Sequence, residues 1–282
     1  MNRIIIFILL SSIWQLSFCQ KESSFWYFGE NSGLHFSGDN PIPTRGMLNT
    51  DEGCAAISDS EGNLLFYTDG TVIYNKEHKL MQNGEGLLGH TSSTQSSIIV
   101  PMASSEGVYY IFTVDGLTGE SKGVHYSVVD MALDSGLGAV EETAKNTFLL
   151  STQGEKLTAV QTQNGRGVWV ITYSESYEGF KFFSYLINEN GLNPNPVVSE
   201  VSQSPGLVGY LKASTKGDRL ATAGTDVNGF MLFDYDNESG IVSNQRHIDS
   251  PMLTGHGWFG PYGIEFSPSG QIIYVSHSLG GL

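Results

Sequence analysis

The sequence predicts an all-β chain folded as a β-propeller of four-stranded antiparallel blades, WD-repeat-like, and three observations predict it. First, five segments share one shape: an apolar strand, a polar turn with glycine, and a strongly β-forming strand ending in Thr or Ser. They are 55–68 (AAISDSEGNLLFYT), 98–113 (IIVPMASSEGVYYIFT), 157–172 (LTAVQTQNGRGVWVIT), 210–222 (YLKASTKGDRLAT) and 262–276 (YGIEFSPSGQIIYVS). Second, their turn glycines Gly62, Gly107, Gly165, Gly217 and Gly270 lie 45, 58, 52 and 53 residues apart, near the roughly 40–50 residues of a propeller blade. Third, 34 glycines, 15% charged residues and 11% aromatics suit turn-rich β structure. A β-sandwich would also alternate, but it would not repeat a two-hairpin unit along the chain.

In chain order, residues 1–19 are expected to be a secretory signal peptide. Asn2-Arg3 gives a basic start, residues 4–13 are apolar apart from Ser11 and Ser12, and Ser17 and Cys19 flank a cut before Gln20. Leu16-Ser17-Phe18-Cys19 also loosely resembles a lipobox, but bulky Phe18 stands where a small residue belongs. Lipidation at Cys19 is therefore the weaker alternative. No later stretch stays apolar for the roughly 18 residues of a membrane helix, so the mature chain is expected outside the cell or on its surface.

Residues 20–282 form the expected propeller domain. Residues 25–36 predict one or two strands ahead of the first full unit. In each hairpin, alternate apolar residues such as Leu64 and Phe66, Tyr109 and Ile111, and Val168 and Val170 give one apolar face. Glycine supplies the positive φ of a two- or three-residue loop. Second hairpins follow at 123–129 with a turn at 134–138 and a strand near Phe148, at 180–187 with 196–201, and at 229–235 with 241–243. Only 131–133 and 141–144 could hold a helical turn, and no Gly-rich strand-to-helix motif supports a Rossmann or P-loop fold. The sequence stops at Leu282 after the second strand of the fifth unit. About five blades are visible, and a ring of about 4–8 predicts a C-terminal truncation.

Composition also limits function. Against 29 Asp and Glu stand 14 Lys and Arg, a net charge of −15, which argues against nucleic acid as a partner. One cysteine remains after the predicted cleavage, so no disulfide framework is expected. Cys54, in the run Cys54-Ala55-Ala56-Ile57, reads as a small buried hydrophobe rather than a nucleophile.

No local metal site is legible, and neither metal nor cofactor is expected. The seven histidines show no His-x-x-x-His spacing, although His90 and His256 could meet in a central channel. Oxygen-rich Asp59–Asn63 and Asp234–Glu238 match no calcium loop and suit turn closure. A sialidase would need an arginine triad, but the mature chain holds only Arg45, Arg166, Arg219 and Arg246. No nucleophile elbow is present. Among the aromatics Trp26, Tyr27, Trp169, Trp258 and Phe259, alternation places Trp169 in the core. The candidate binding residues are His256, Trp258 and Phe259, on the Gly-rich stretch 255–261.

A family resemblance rests on Trp26-Tyr27-Phe28-Gly29, Gly33-Leu34-His35-Phe36, Glu52-Gly53-Cys54-Ala55, the run from Gly62 to Gly70, Ser92-Ser93-Thr94-Gln95-Ser96, His125-Tyr126-Ser127-Val128-Val129-Asp130 and Glu155-Lys156-Leu157-Thr158-Ala159-Val160. From about Ser24 onward the chain closely resembles the N-terminal propeller region of large Bacteroidetes surface proteins, the gliding-motility-associated or type IX-secreted proteins. The resemblance implies an exported, surface-attached or released protein with further modules after the propeller. The sequence departs from that pattern in lacking a C-terminal sorting domain, and no catalytic residue transfers. The expectation is a non-enzymatic binding or scaffold module with a protein or glycan ligand. The alternatives are a secreted glycan hydrolase or a structural spacer.

Overall fold

The computed structural model describes residues 21–38, 40–117, 121–225, 229–249 and 260–277. The predicted signal peptide lies outside the described residues. Strands β1 (Phe25–Tyr27), β2 (Ser32–His35) and β3 (Ile42–Arg45) form a three-stranded antiparallel sheet. The meander β4 (Ala55–Ser58), β5 (Leu64–Thr68), β6 (Val72–Asn75) and β7 (Leu80–Glu85) follows. Next come β8 (Ser97–Pro101), β9 (Val108–Val114) and β10 (Val124–Asp130), with β11 (Ala139–Val140) and β12 (Thr147–Leu150) both pairing with β10. Strands β13 (Leu157–Gln161), β14 (Val168–Ser176) and β15 (Gly179–Asn188) carry β16 (Gly191–Leu192) and β17 (Val197–Val201) on β15. A four-stranded sheet of β18 (Leu211–Ala213), β19 (Arg219–Ala223), β20 (Phe230–Asp236) and β21 (Ile241–Ile248) precedes the pair β22 (Pro261–Phe266) and β23 (Ile273–His277).

All five predicted hairpins form, as β4–β5, β8–β9, β13–β14, β18–β19 and β22–β23. Their turn glycines have φ between 68° and 92°, a region that costs L-residues about 1–2 kcal/mol. The loops are longer than expected. They close on Asp59 to Asn63, Met102 to Val108, Thr162 to Gly167, Ser214 to Arg219 and Ser267 to Ile272, leaving three to five residues between. Side chains at the turn entrance explain the length: Asp59, Thr162, Ser214 and Ser267 accept hydrogen bonds from backbone N–H groups further round the loop. Short 3-10 turns fall at Asp134–Gly136 and Glu142–Ala144.

Strand pairing departs from a uniform four-strand unit, since among the described residues only β18–β21 is a separate four-stranded sheet. Ala139 of β11 pairs in parallel with Gln82 of β7, joining two units into a nine-stranded sheet. The sheet containing β15 has five strands. Strand β3, not legible in the sequence, is a sheet edge that tolerates Pro43 because no ladder bond is needed on its outer side.

The sheets are arranged around an axis. Strand β1 lies against β4, and β4, β8, β13, β18 and β22 then touch one another in succession. The core fills the wedges between neighbouring sheets. Val100, Tyr110, Phe112, Leu157, Val170 and Tyr185 pack together in one wedge, and Trp169, Ile171, Phe182, Leu211, Leu220 and Phe233 in the next. Each such side chain contributes on the order of 1.5–3 kcal/mol by leaving water. Sheets apolar on both faces need neighbours on both sides, which selects the radial arrangement over a two-layer sandwich.

Candidate functional site

Each inner strand leaves its hairpin at one end of the axis, so the residues that enter the inner strands gather at the other end. These are Glu52-Gly53-Cys54 before β4, Ser93 to Ser96 before β8, Glu155-Lys156 before β13, Val208-Gly209-Tyr210 before β18, and Tyr262 in β22. Gly53 permits the approach, since a Cβ there would stand 2.3 Å from the Ser96 nitrogen.

Three groups in this mouth are structurally saturated. Buried Glu155 accepts from the Thr94 N–H at 2.9 Å, the Thr94 hydroxyl at 2.6 Å and the Leu117 N–H at 2.9 Å. Lys156, fully buried, donates to the carbonyls of Val208 at 3.3 Å, Gly209 at 3.0 Å and Ala223 at 2.6 Å. Gln95 crosses the axis, accepting from Leu157 N–H at 3.2 Å and Leu211 N–H at 2.8 Å and donating to the Leu211 carbonyl at 3.1 Å. These contacts fix the mouth.

Glu52 differs. Its Oε2 is buried without a hydrogen-bond partner, and so is the hydroxyl of Tyr262. That hydroxyl faces both Glu52 and Thr94 without completing a full hydrogen bond to either. Burial holds the Glu52 carboxyl above its ordinary range, the charges of Glu155 and Asp51 push the same way, and Tyr262 opposes them. Burial likewise raises the phenols of Tyr262 and Tyr210. The two rings meet edge to face with centroids 5.8 Å apart, and the Tyr210 N–H donates to the Tyr262 carbonyl at 2.9 Å. A carboxyl poised toward protonation beside a phenol is a pairing suited to acid–base chemistry.

Cys54, expected to be buried, is only partly so and packs against the cluster of Tyr27, Leu48, Leu64 and Tyr67. It donates to the Tyr27 carbonyl at 2.9 Å, and burial followed by the charge of Asp69 pushes its pKa up to about 11. A thiol in that state is a poor nucleophile. Trp169 is in the core, 5% exposed, with its indole N–H on the Asn237 carbonyl. Tyr27 is buried and Trp26 half exposed. Asp59 and Asp236 direct their oxygens into their own turns. Among the described residues no group of three or more His, Cys, Asp or Glu is placed to hold a metal.

The sequence-based candidates His256, Trp258 and Phe259 lie outside the described residues. Glu52, Tyr210 and Tyr262 were missed as site residues, although all stand at or near the start of an inner strand. That repeat position, one per unit, is the signal that could have found them. An open cleft of about 460 Å³ among the β13–β14, β15–β16 and β20–β21 turns is lined by Gln163, Asn164, Arg166, Leu186, Glu189 and Glu238 among others. None of its polar side chains is buried, so the mouth is the better-built site.

Fold and site together define a β-propeller with an acidic axial mouth. No family model matches the chain, and no curated protein matches its sequence. Among solved structures it is similar to a candidate 6-phosphogluconolactonase from Bacteroides uniformis, at 14% identity and TM-score 0.53, over 91% of this chain and 75% of that one. A second candidate 6-phosphogluconolactonase, from Bacteroides fragilis, matches at 11% identity and TM-score 0.52, over 90% and 74%. A protein from Lactobacillus plantarum matches at 14% identity and TM-score 0.50, over 87% and 70%. At such identities the likeness is one of fold. It nevertheless corrects the expectation of a non-enzymatic module, because structures sharing this fold include candidate 6-phosphogluconolactonases.

Proposed function

We propose that the chain is an exported propeller hydrolase whose axial mouth binds a small carbohydrate-like substrate, a sugar lactone or a glycan, with Glu52 as its acid–base group. The observation that carries this reading is the Glu52 carboxyl itself, with a buried oxygen left unbonded beside an unbonded phenol. On a lactone, Glu52 takes a proton from water, hydroxide adds to the acyl carbon, the ring C–O bond breaks, and the proton passes to the departing ring oxygen. The Tyr262 hydroxyl can donate to the developing oxyanion, and Thr94 lies beside that hydroxyl. The candidate lactonases of similar fold support the class of reaction. Purified chain should hydrolyse members of a panel of lactones and glycosides above background, and Glu52→Gln should lower kcat by about 10²–10⁴ without loss of folded structure. A fully active Glu52→Gln enzyme sinks the assignment.

In the same reading, β4, β8, β13, β18 and β22 each head one blade, the four-stranded antiparallel sheet β18–β21 being its plain form. Residues 1–19 direct export and the product is displayed at the cell surface through a type IX-like route, supported by the Asn2-Arg3 start, the apolar run and the family resemblance. N-terminal sequencing of secreted protein should begin at Gln20; retention of residues 1–19 on cytoplasmic protein overturns this.

A further inference from the structure

The charges around the mouth restrict what it can hold. Glu52 feels Glu155 and Asp51, Tyr262 feels Glu52, Tyr210 feels Cys54 and Glu52, and Cys54 feels Asp69. Apart from the Cys54 thiol, which stays protonated, each of those neighbours is a carboxylic acid. Lys156, which the described residues place in the wall, has its ammonium engaged by the carbonyls of Val208, Gly209 and Ala223 at 2.6–3.3 Å. Lys212, two residues past Tyr210, pairs with Glu265 at 3.0 Å and sits 5.6 Å over the Tyr210 ring. The inward N–H groups of Thr94 and Leu117 are taken by Glu155 at 2.9 Å each.

A phosphate group is recognised by free backbone N–H groups or by a fork of Arg and Lys donors. Among the described residues these donors already have partners, and the neighbouring carboxylates make the field negative. A dianion entering would lose its hydration and meet like charge at short range. A neutral polyol or lactone brings no net charge into that field, and its hydroxyls can both donate and accept.

We propose that the axial mouth takes an electrically neutral lactone or sugar and excludes its phosphorylated counterpart. The inference rests on the hydrolase reading of this mouth and narrows its substrate class. Purified mature chain is offered gluconolactone and 6-phosphogluconolactone, with hydrolysis measured above the spontaneous rate. The expected result is kcat/KM at least about tenfold higher for the neutral lactone, a gap narrowed by added salt. Asp51→Asn, at the exposed rim, should narrow it further, through a larger gain on the phosphorylated substrate than on the neutral one. Equal or better use of the phosphorylated lactone overturns the exclusion and leaves the hydrolase reading standing. Turnover of neither, by a chain that melts cooperatively, overturns the hydrolase reading and the exclusion with it.

Discussion

At the scale of single residues, the mouth combines one group held against its preference with others fully satisfied, and the two kinds respond oppositely to mutation. Glu52 is raised above its ordinary value of 4.5, chiefly by burial. The folded chain therefore binds this proton more readily than the unfolded chain, so its contribution to stability is present below about pH 4.5 and is lost as pH rises through the folded value. Glu52→Gln should accordingly melt above the parent at about pH 8, with the difference closing as pH falls toward 4.5. A thermal melt across that range checks the sign, and a variant less stable at high pH refutes it. Lys156→Met should do the reverse. It takes the ammonium from three carbonyls, of which that of Ala223 keeps the Thr222 hydroxyl at 3.2 Å, at an expected loss of about 2–4 kcal/mol in urea unfolding. Cys54, protonated and bonded to Tyr27, should resist alkylation at about pH 8 until the chain unfolds.

At the scale of elements, the hairpins were the most legible part of the sequence, because alternation and glycine placement act locally and recur. Strands 55–68, 98–113, 157–172, 210–222 and 262–276 were readable for that reason. Strands β3, β6, β7, β11 and β16 were not. Strand β3 carries Pro43, β7 carries Gly84 and three polar side chains, and β11 and β16 are two residues each, so tertiary pairing rather than local propensity sets them. The turns offer a controlled comparison. Gly165 and Gly217 share φ of +68°, but a Cβ at Gly165 meets open space, whereas one at Gly217 would stand 2.6 Å from the Asn237 amide nitrogen and 2.8 Å from Val160. Gly165→Ala should therefore cost about 1–2 kcal/mol, the backbone penalty alone. Gly217→Ala should cost about 2–4 kcal/mol, since crowding adds to it. Denaturant titration of the two variants separates the contributions, and equal losses would show that Asn237 yields freely.

At the scale of the whole molecule, the functional mouth exists only because separate sheets meet, which is why composition and spacing located the blades yet not the site. Glu52, Thr94, Glu155, Tyr210 and Tyr262 span more than two hundred residues of sequence, and no local pattern joins them. Gln95 shows how the sheets are tied. Its single carboxamide serves Leu157 at the head of β13 and Leu211 at the head of β18 from the start of β8. Removing it leaves two buried N–H groups and a carbonyl without that partner, each worth about 1–3 kcal/mol when stranded. Gln95→Ala should therefore lower stability by about 2–4 kcal/mol. The loss falls between sheets rather than within one, so the denaturation curve should also become shallower, or resolve into two steps, as neighbouring sheets cease to unfold together. Hydrogen exchange should report the same uncoupling, with protection falling first in β13 and β18. If the curve keeps its slope and only shifts its midpoint, packing in the wedges alone unites the propeller and the axial bonds serve only to shape the mouth.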